Sequence, residues 1–490
     1  MLTLGIDIGT SAVKVIVMNE NGEVLRTVSR DYPLYLFGDG CSEQDPLDWW
    51  TQTVIALKEI TADYPDIAAV SFSGQMHGLV AMDANGNVLR RAILWNDQRT
   101  TAECDYLNNT IGREVLLANA ANIALTGFTL PKILWVKNNE PEIFSQIKMV
   151  MLPKDYIAYM LSGVAATDYS DASGMLLLDV AKRNWSDKML NIAGLTRDNV
   201  PKLFASYESV GTVTPKAAQE TGLPTSCKVV IGGGDQAVGA VGTGTVEEGT
   251  CSVSLGTSGV LFVAMDEFAV DNSPAAIHAF AHATGRYHMM GVTLAAAGSS
   301  KWWVEHVLNT TDYPAEQVDI KELGRNKVYY LPYLSGERTP HNDPYARGAF
   351  VGMTMSTTRA EMTQSLFEGV AYSLRDILVR VRALGKTVTT ARIIGGGANS
   401  PVWCQIVADV LNVTVQKIHS DEGPALGAAI LAMVGAGAYA SVEEACAKLI
   451  KTTETSKPNP QTAAAYDKHY DIYTGLYKAL KGSYSEIAKI

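Results

Sequence analysis

Two stretches, GIDIGTSAVKVIVMNE (residues 5–20) and SVSLGTSGVLFVAMDE (residues 252–267), align without a gap at an offset of 247, half the length of this 490-residue sequence. Gly, Thr, Ser, Val, Met and Glu coincide at six of the 16 positions, and most of the rest are apolar in both. Each reads as an apolar β-branched strand, a Gly-Thr-Ser turn and a second strand. Self-similarity at half-length predicts two related lobes, each opening with this hairpin. Fortuitous likeness between two hairpins is the alternative, and the shared turn favours duplication. Asn21-Gly22 is a strong hairpin signal that adds a third antiparallel strand over EVLRTVSRDY (23–32).

Working outward, strand, glycines and helix recur in KVVIGGGDQAVGAVG (228–242) and ARIIGGGANSPVWCQIVADVL (391–411), and more loosely in 68–78 and 413–435. The pattern is α/β. We expect a first lobe over residues 1–246, a second over 247–455 and a helical extension over 456–490. The tyrosines at 466, 470, 473 and 477 form a stripe on that last helix and read as packing. Residues 423–442 carry no charge over 20 positions, long enough to span a bilayer. Eleven of those are Ala or Gly and Pro424 sits near the start, so the stretch reads as a tightly packed buried helix.

Composition narrows the classes. Forty Lys and Arg against 51 Asp and Glu leave a net charge of −11, which argues against nucleic-acid binding by phosphate neutralisation. With 47% apolar and 19% charged residues the chain is an ordinary globular one. Its six cysteines have neither Cys-x-x-Cys spacing nor a nearby His, which excludes a zinc site and fits a reducing cytoplasm. The start, MLTLGIDIGT, has no basic segment and meets Asp7 early, unlike a signal peptide.

Glycine turns beside strands expose N–H groups that attract phosphate. Three stand out: Gly9-Thr10-Ser11, Gly256-Thr257-Ser258 and Gly395-Gly396-Gly397. Two matched hairpins suggest phosphates held between lobes. Gly385-Lys386-Thr387 is no P-loop, because position 380 is Arg where that motif needs Gly. The turn GGGDQAVG likewise lacks the spacing of a dinucleotide fingerprint. The repeat differs where chemistry would sit: Asp7 in the first hairpin is Ser254 in the second. A carboxylate beside phosphates needs a cation between, which points to Mg²⁺. Asp235 is the second carboxylate, on a strand-to-helix turn. From the residues alone it is equally a helix N-cap and a catalytic group.

At this point DIGTSAVK (7–14), SGQMHG (73–78), ILWNDQR (93–99), GFTLPKILWVKNN (127–139), LPKDY (152–156), GGGDQAVG (232–239), SLGTSG (254–259), PYLSGERTPH (332–341) and IGGGANS (394–400) together resemble the FGGY carbohydrate kinases. Within that family the likeness is strongest to bacterial xylulose kinases, and the motifs are collinear from residue 4 to about 435. The resemblance implies an actin-like ATPase (ribonuclease H-like) fold: two lobes, each with a mixed five-stranded sheet flanked by helices, and a cleft between. It implies ATP and Mg²⁺, with a pentulose, D-xylulose, as acceptor. Asp235 matches the general base and Asp7 the carboxylate organising Mg²⁺-ATP, with Asp235 also reaching the metal through water. Met76 and His77 match the sugar site, and Gln75 and Trp95 are carried over as site-lining residues. Gly9, Thr10, Ser11, Gly256, Thr257, Gly298, Gly395, Gly396, Gly397 and Asn399 fall to the nucleotide. Gln236 stands where these kinases often have Asn, which moves the amide by one methylene. A homodimer is the candidate assembly, with neither nucleic acid nor membrane as partner.

Other sugar kinases of the family, acting on ribulose, gluconate or glycerol, are the first rivals. Gluconate-type relatives tend to show SAMHS and TWADNR where this chain has SGQMHG and LWNDQR. An actin-like chaperone is the second rival, and it lacks room here for a polypeptide-binding domain after residue 435.

Overall fold

The structure is a computed structural model that describes residues 1–490 except 39, 274–276 and 421. The first hairpin forms as read. Strands β1 (Leu2–Ile8) and β2 (Ala12–Asn19) pair antiparallel, and Gly22 adopts the left-handed φ of 80° that the turn into β3 (Val24–Asp31) requires. Helix α1 (Pro46–Thr61) then crosses to β4 (Ile67–Gly74), which runs parallel to β1. Strands β5 (Ser209–Thr212) and β6 (Lys228–Val230) complete one edge, giving the order β5-β6-β4-β1-β2-β3. The pair Gly233–Gly234 continues beside the end of β4 and leads directly into helix α2 (Asp235–Thr243).

The second lobe repeats this plan. Strands β7 (Thr250–Leu255) and β8 (Gly259–Met265) form the matching hairpin, and β9 (His278–Ala281) and β10 (Tyr287–Thr293) follow antiparallel. The long helix α3 (Arg359–Ala383) returns the chain to β11 (Thr390–Ile394), parallel to β7. Helix α4 (Pro401–Leu411), strand β12 (Thr414–Ile418), helix α5 (Gly423–Ala436), strand β13 (Thr452–Ser456) and helix α6 (Pro460–Ile487) complete the chain. The sheet order is β9-β10-β8-β7-β11-β12-β13. The five strands β3-β2-β1-β4-β6 match β10-β8-β7-β11-β12 one for one. Each sheet has seven strands rather than the expected five, because edge strands and the Gly233–Gly234 pair extend the shared core.

Helix α5 is the uncharged stretch, and it is buried on nearly every side. Among the described residues no helix is long and apolar enough to cross a membrane. Although α5 follows a second-lobe strand, it packs on the first-lobe sheet. A Cβ on Gly5 would lie 1.9 Å from the Ala425 carbonyl oxygen, and Thr3 Oγ1 donates to the Ala429 carbonyl at 3.3 Å. It also crosses α2 backbone to backbone, since a Cβ on Gly427 would sit 1.9 Å from the Val238 carbonyl oxygen. These helices therefore tie the lobes together at the floor of the cleft. Substituting Gly427→Val forces α2 and α5 apart, so the melting midpoint should drop by the equivalent of at least ~1–3 kcal/mol. A melt that matches wild type would mean that the crossing tolerates a side chain.

On α6 the tyrosine stripe packs inward and its hydroxyls find partners from other elements. Tyr466 donates to Glu368 at 2.8 Å, Tyr477 to Asp343 at 2.8 Å, and Tyr473 meets the Tyr333 hydroxyl at 3.1 Å. All six cysteines are free, and all but Cys41 are buried.

Candidate active site

Asp235 is the first residue of α2, and Gly234 takes the cap position with extended backbone and no side-chain cap. The capping alternative is thereby removed, because the Asp235 side chain is not the cap. Its carboxyl borders an interlobe cavity of about 190 Å³ together with Met76, His77, Trp95 and Gln236. Burial, reinforced by the nearby Asp7 charge, pushes its pKa up to about 7.

His77 follows β4 in a left-handed conformation, φ 71°, which turns the chain at the cavity wall. Its Nδ1 lies 2.8 Å from the Gly174 carbonyl oxygen, which can only accept, so Nδ1 carries the proton. Nε2 is then an acceptor. Burial and the Lys132 charge hold His77 neutral, with its pKa lowered to about 3. Lys132 is itself fully buried, and its ammonium donates to the carbonyls of His77 at 2.9 Å and Gly127 at 2.7 Å. It fixes the backbone on both sides of the cavity wall.

Thr10 and Gln75 are joined in one hydrogen-bond network. The Trp95 indole donates to Thr10 Oγ1 at 3.0 Å, and Thr10 Oγ1 donates to Gln75 Oε1 at 3.2 Å. Gln75 donates in turn to Gln44 Oε1 at 2.8 Å, and Gln44 to the Thr10 carbonyl at 2.7 Å. The first-lobe turn is thus cross-linked to the loops at the cavity wall, and Gln75 lies behind that wall while Trp95 lines it. Gly9 and Ser11 complete the same turn, where the Gly9 N–H donates to the Ala12 carbonyl at 3.1 Å.

Asp7 lies on β1 opposite Ser73 of β4. Burial raises its pKa, while the nearby Ser73 hydroxyl and the Lys14 charge act the other way. Its Oδ1 is inaccessible and has no hydrogen-bond partner. An orphaned carboxylate oxygen suits a hard cation. Among the described residues no cluster of three or more His, Cys, Asp or Glu could cage a metal alone. Mg²⁺ commonly binds through one or two carboxylates with water and substrate phosphates, so the donor set fits such an ion.

In the second lobe, Gly256, Thr257, Gly298, Gly396, Gly397 and Asn399 line a larger cavity of about 830 Å³. Tyr313, Pro314, Val318 and Pro401 give it an apolar wall. Gly395 borders an adjoining pocket, where a Cβ would lie 2.7 Å from the Leu255 carbonyl. Only glycine lets this turn abut the end of β7. The β7–β8 turn is pinned from the other side, because the N–H of Ala297 donates to the Gly256 carbonyl at 2.7 Å.

The second lobe also walls the interlobe cavity, through His278, Phe280, Met290 and Arg338, which sequence reasoning missed, and through Ser258 of the Gly256-Thr257-Ser258 turn. Phe128 of the first lobe was missed as well, and its ring meets His77 edge-on at 4.7 Å. Arg338 lies in the PYLSGERTPH motif and Phe128 in GFTLPK, so both had a local signal. Its neighbours fix the Arg338 backbone: Glu337 accepts from Thr293 Oγ1 at 2.6 Å, and the Thr339 N–H donates to the Val292 carbonyl at 3.1 Å.

Models of the N-terminal and C-terminal domains of the FGGY family of carbohydrate kinases match residues 2–242 and 251–436. The chain belongs to that family. It is an ATP-dependent sugar phosphotransferase. It is 42% identical to the xylulose kinase of Escherichia coli strain K12 over 97% of this chain and 99% of that one. The crystal structure of a xyloylose kinase from Brucella ovis superposes with a TM-score of 0.93 at 36% identity, covering 98% of this chain and all of that one. A gluconate kinase from Lactobacillus acidophilus reaches the same TM-score of 0.93 at 25% identity over 99% of this chain and 100% of its own. Backbone shape alone therefore does not separate the sugars within this FGGY kinase fold.

Proposed function

We propose that the chain transfers the γ-phosphoryl group of ATP to a hydroxyl of D-xylulose, giving D-xylulose 5-phosphate and ADP. The observation that carries the reaction is a carboxyl of raised pKa, Asp235, bordering a sugar-sized interlobe cavity beside neutral His77. The choice of D-xylulose rests on the 42% identity to a xylulose kinase, and on the motifs SGQMHG and LWNDQR, which bring Met76, His77 and Trp95 to the cavity wall.

In this reading His77 Nε2 accepts from a sugar hydroxyl while Met76, Phe128 and Trp95 exclude water from the acceptor. Asp235 takes the acceptor proton as the oxygen–phosphorus bond forms and the γ–β bridging bond breaks. Gly256, Thr257 and the Gly395–Gly397 turn hold the nucleotide. Asp7, with Asp235 through water, would hold Mg²⁺. Once bound, that ion neutralises charge on the phosphate oxygens.

The test is ADP formation with D-xylulose, D-ribulose, gluconate, glycerol and no sugar. D-xylulose should give the highest kcat/KM. A sugar-independent rate, or a preference for another acceptor, would overturn the assignment.

Both lobes wall the sugar cavity, so the cleft should tighten around bound ketose. Small-angle scattering should report a smaller radius of gyration with D-xylulose and a non-hydrolysable ATP analogue. An unchanged radius in the ternary complex would count against closure.

A further inference from the structure

Gly234 caps α2 without a side chain of its own. It has no room for one, since a Cβ there would lie 2.9 Å from Met76 Cγ and 3.4 Å from Asp171 Oδ1. Its N–H is held from outside instead, donating to Ser170 Oγ at 3.2 Å. Ser170 Oγ donates to Asp168 Oδ2 at 2.6 Å, and Ser206 Oγ donates to the same oxygen at 2.6 Å. The other Asp168 oxygen lies 3.1 Å from Lys154 Nζ, which also donates to Asp155 at 2.6 Å. Lys154, Asp155, Asp168 and Asp171 are all completely buried.

The same segment touches the other half of the sugar site. A Cβ on Gly74 would lie 2.8 Å from Lys154 Cβ, and one on Gly78 would lie 2.6 Å from Pro153 Cγ. Pro153 and Lys154 thus pack against the turn carrying Met76-His77, and Lys154 reaches the turn carrying Asp235 through Asp168 and Ser170. Such a cluster is an expensive way to gain stability. Buried ion pairs are often replaced by apolar residues without loss, whereas one lysine here faces three carboxylates. Asp171, 3.9 Å from Lys154 Nζ, has no hydrogen-bond partner on either oxygen.

We propose that Lys154 is a positioning residue for Asp235, acting through Asp168 and the Ser170 hydroxyl on the Gly234 N–H. The proposal rests on the reading of Asp235 as the base. Its strength is that each link is a contact within hydrogen-bond distance between buried groups, ending one residue from the carboxyl that must meet the sugar.

The test removes the last link. Ser170→Ala should lower kcat by between about tenfold and 10²-fold, the scale of a misplaced catalytic group, with the KM for D-xylulose within about twofold. Ser170→Thr, which keeps the hydroxyl, should recover most of that loss. In an Asp235→Asn background, Ser170→Ala should cost little more, because the group it positions is already gone. Wild-type kcat in Ser170→Ala, while Asp235→Asn is crippled, would overturn the positioning role and leave the base assignment standing. Near-normal turnover in Asp235→Asn would instead remove the base reading itself. Additive losses in the double variant, with Ser170→Thr as poor as Ser170→Ala, would mark a purely structural cluster and overturn the proposal. Thermal melts of each variant verify that folded protein is compared. If Ser170→Ala does not fold, the Ser170→Thr result and its cycle with Asp235→Asn decide by the same criteria.

Discussion

Asp235→Asn should reduce sugar-dependent turnover by at least ~10²-fold while leaving the KM for sugar and for ATP nearly unchanged. A sugar hydroxyl holds its proton too tightly to attack phosphorus unaided, and Asp235 is a carboxyl at the cavity wall able to accept it. Asn preserves the shape of the side chain and its place at the first turn of α2, but it cannot take a proton. The structure also removes the reading under which this substitution would be harmless, because Gly234 rather than Asp235 is the cap. The wild-type pH profile follows from the same group. Burial first, then the Asp7 charge, raises the Asp235 pKa to about 7, and the base works only when deprotonated. In the free enzyme kcat/KM should therefore fall about tenfold per unit below pH 7 and level off above it. The residual activity of Asp235→Asn should lose that limb. Steady-state kinetics over pH 5.5–8.5 (about three units, spanning the limb) would check both points. Near-wild-type kcat would remove Asp235 from the mechanism.

What was legible in the sequence follows the reach of each physical signal. Hairpin alternation and glycine turns are local, so the duplicated β1–β2 and β7–β8 units and both triple-glycine turns could be read from composition and spacing. The burial of residues 423–436 was equally legible, because an uncharged Ala/Gly helix has no face for water. Its partner was not. Helix α5 lies on the first-lobe sheet through close backbone contacts at Gly5 and Gly427, and nothing along a chain says which distant carbonyl a glycine will meet. The interlobe cavity was less legible for a similar reason. His278 and Phe280 reach it only because the second lobe folds against the first, a juxtaposition without a period or a spacing. Thr10 shows the same limit, since its hydroxyl is engaged by Gln75 and Trp95 from loops more than 60 residues away.

Replacing Asp7 separates the metal role from the base. Asp7→Ala should lower kcat by ~10²-fold or more, the scale of lost electrostatic stabilisation of a transferring group, and weaken Mg²⁺-ATP binding while sugar binding persists. The physical ground is its unpartnered Oδ1, buried beside Ser73 on β1, in a lobe whose counterpart turn carries Ser254 instead. Neutralising that oxygen has a second consequence that a merely packing role would not produce. A carboxylate beside Asp235 opposes its ionisation, so removing the Asp7 charge must lower the Asp235 pKa. Whatever activity Asp7→Ala retains should therefore show its acid limb displaced to lower pH, below the wild-type position near 7. The two effects are read separately, by calorimetric titration of Mg²⁺-ATP and by the pH profile of kcat/KM for D-xylulose. Unaltered Mg²⁺ dependence would take Asp7 out of the metal site. An acid limb that stays near pH 7 would show that Asp235 is set by burial alone, with Asp7 too far away to act on it.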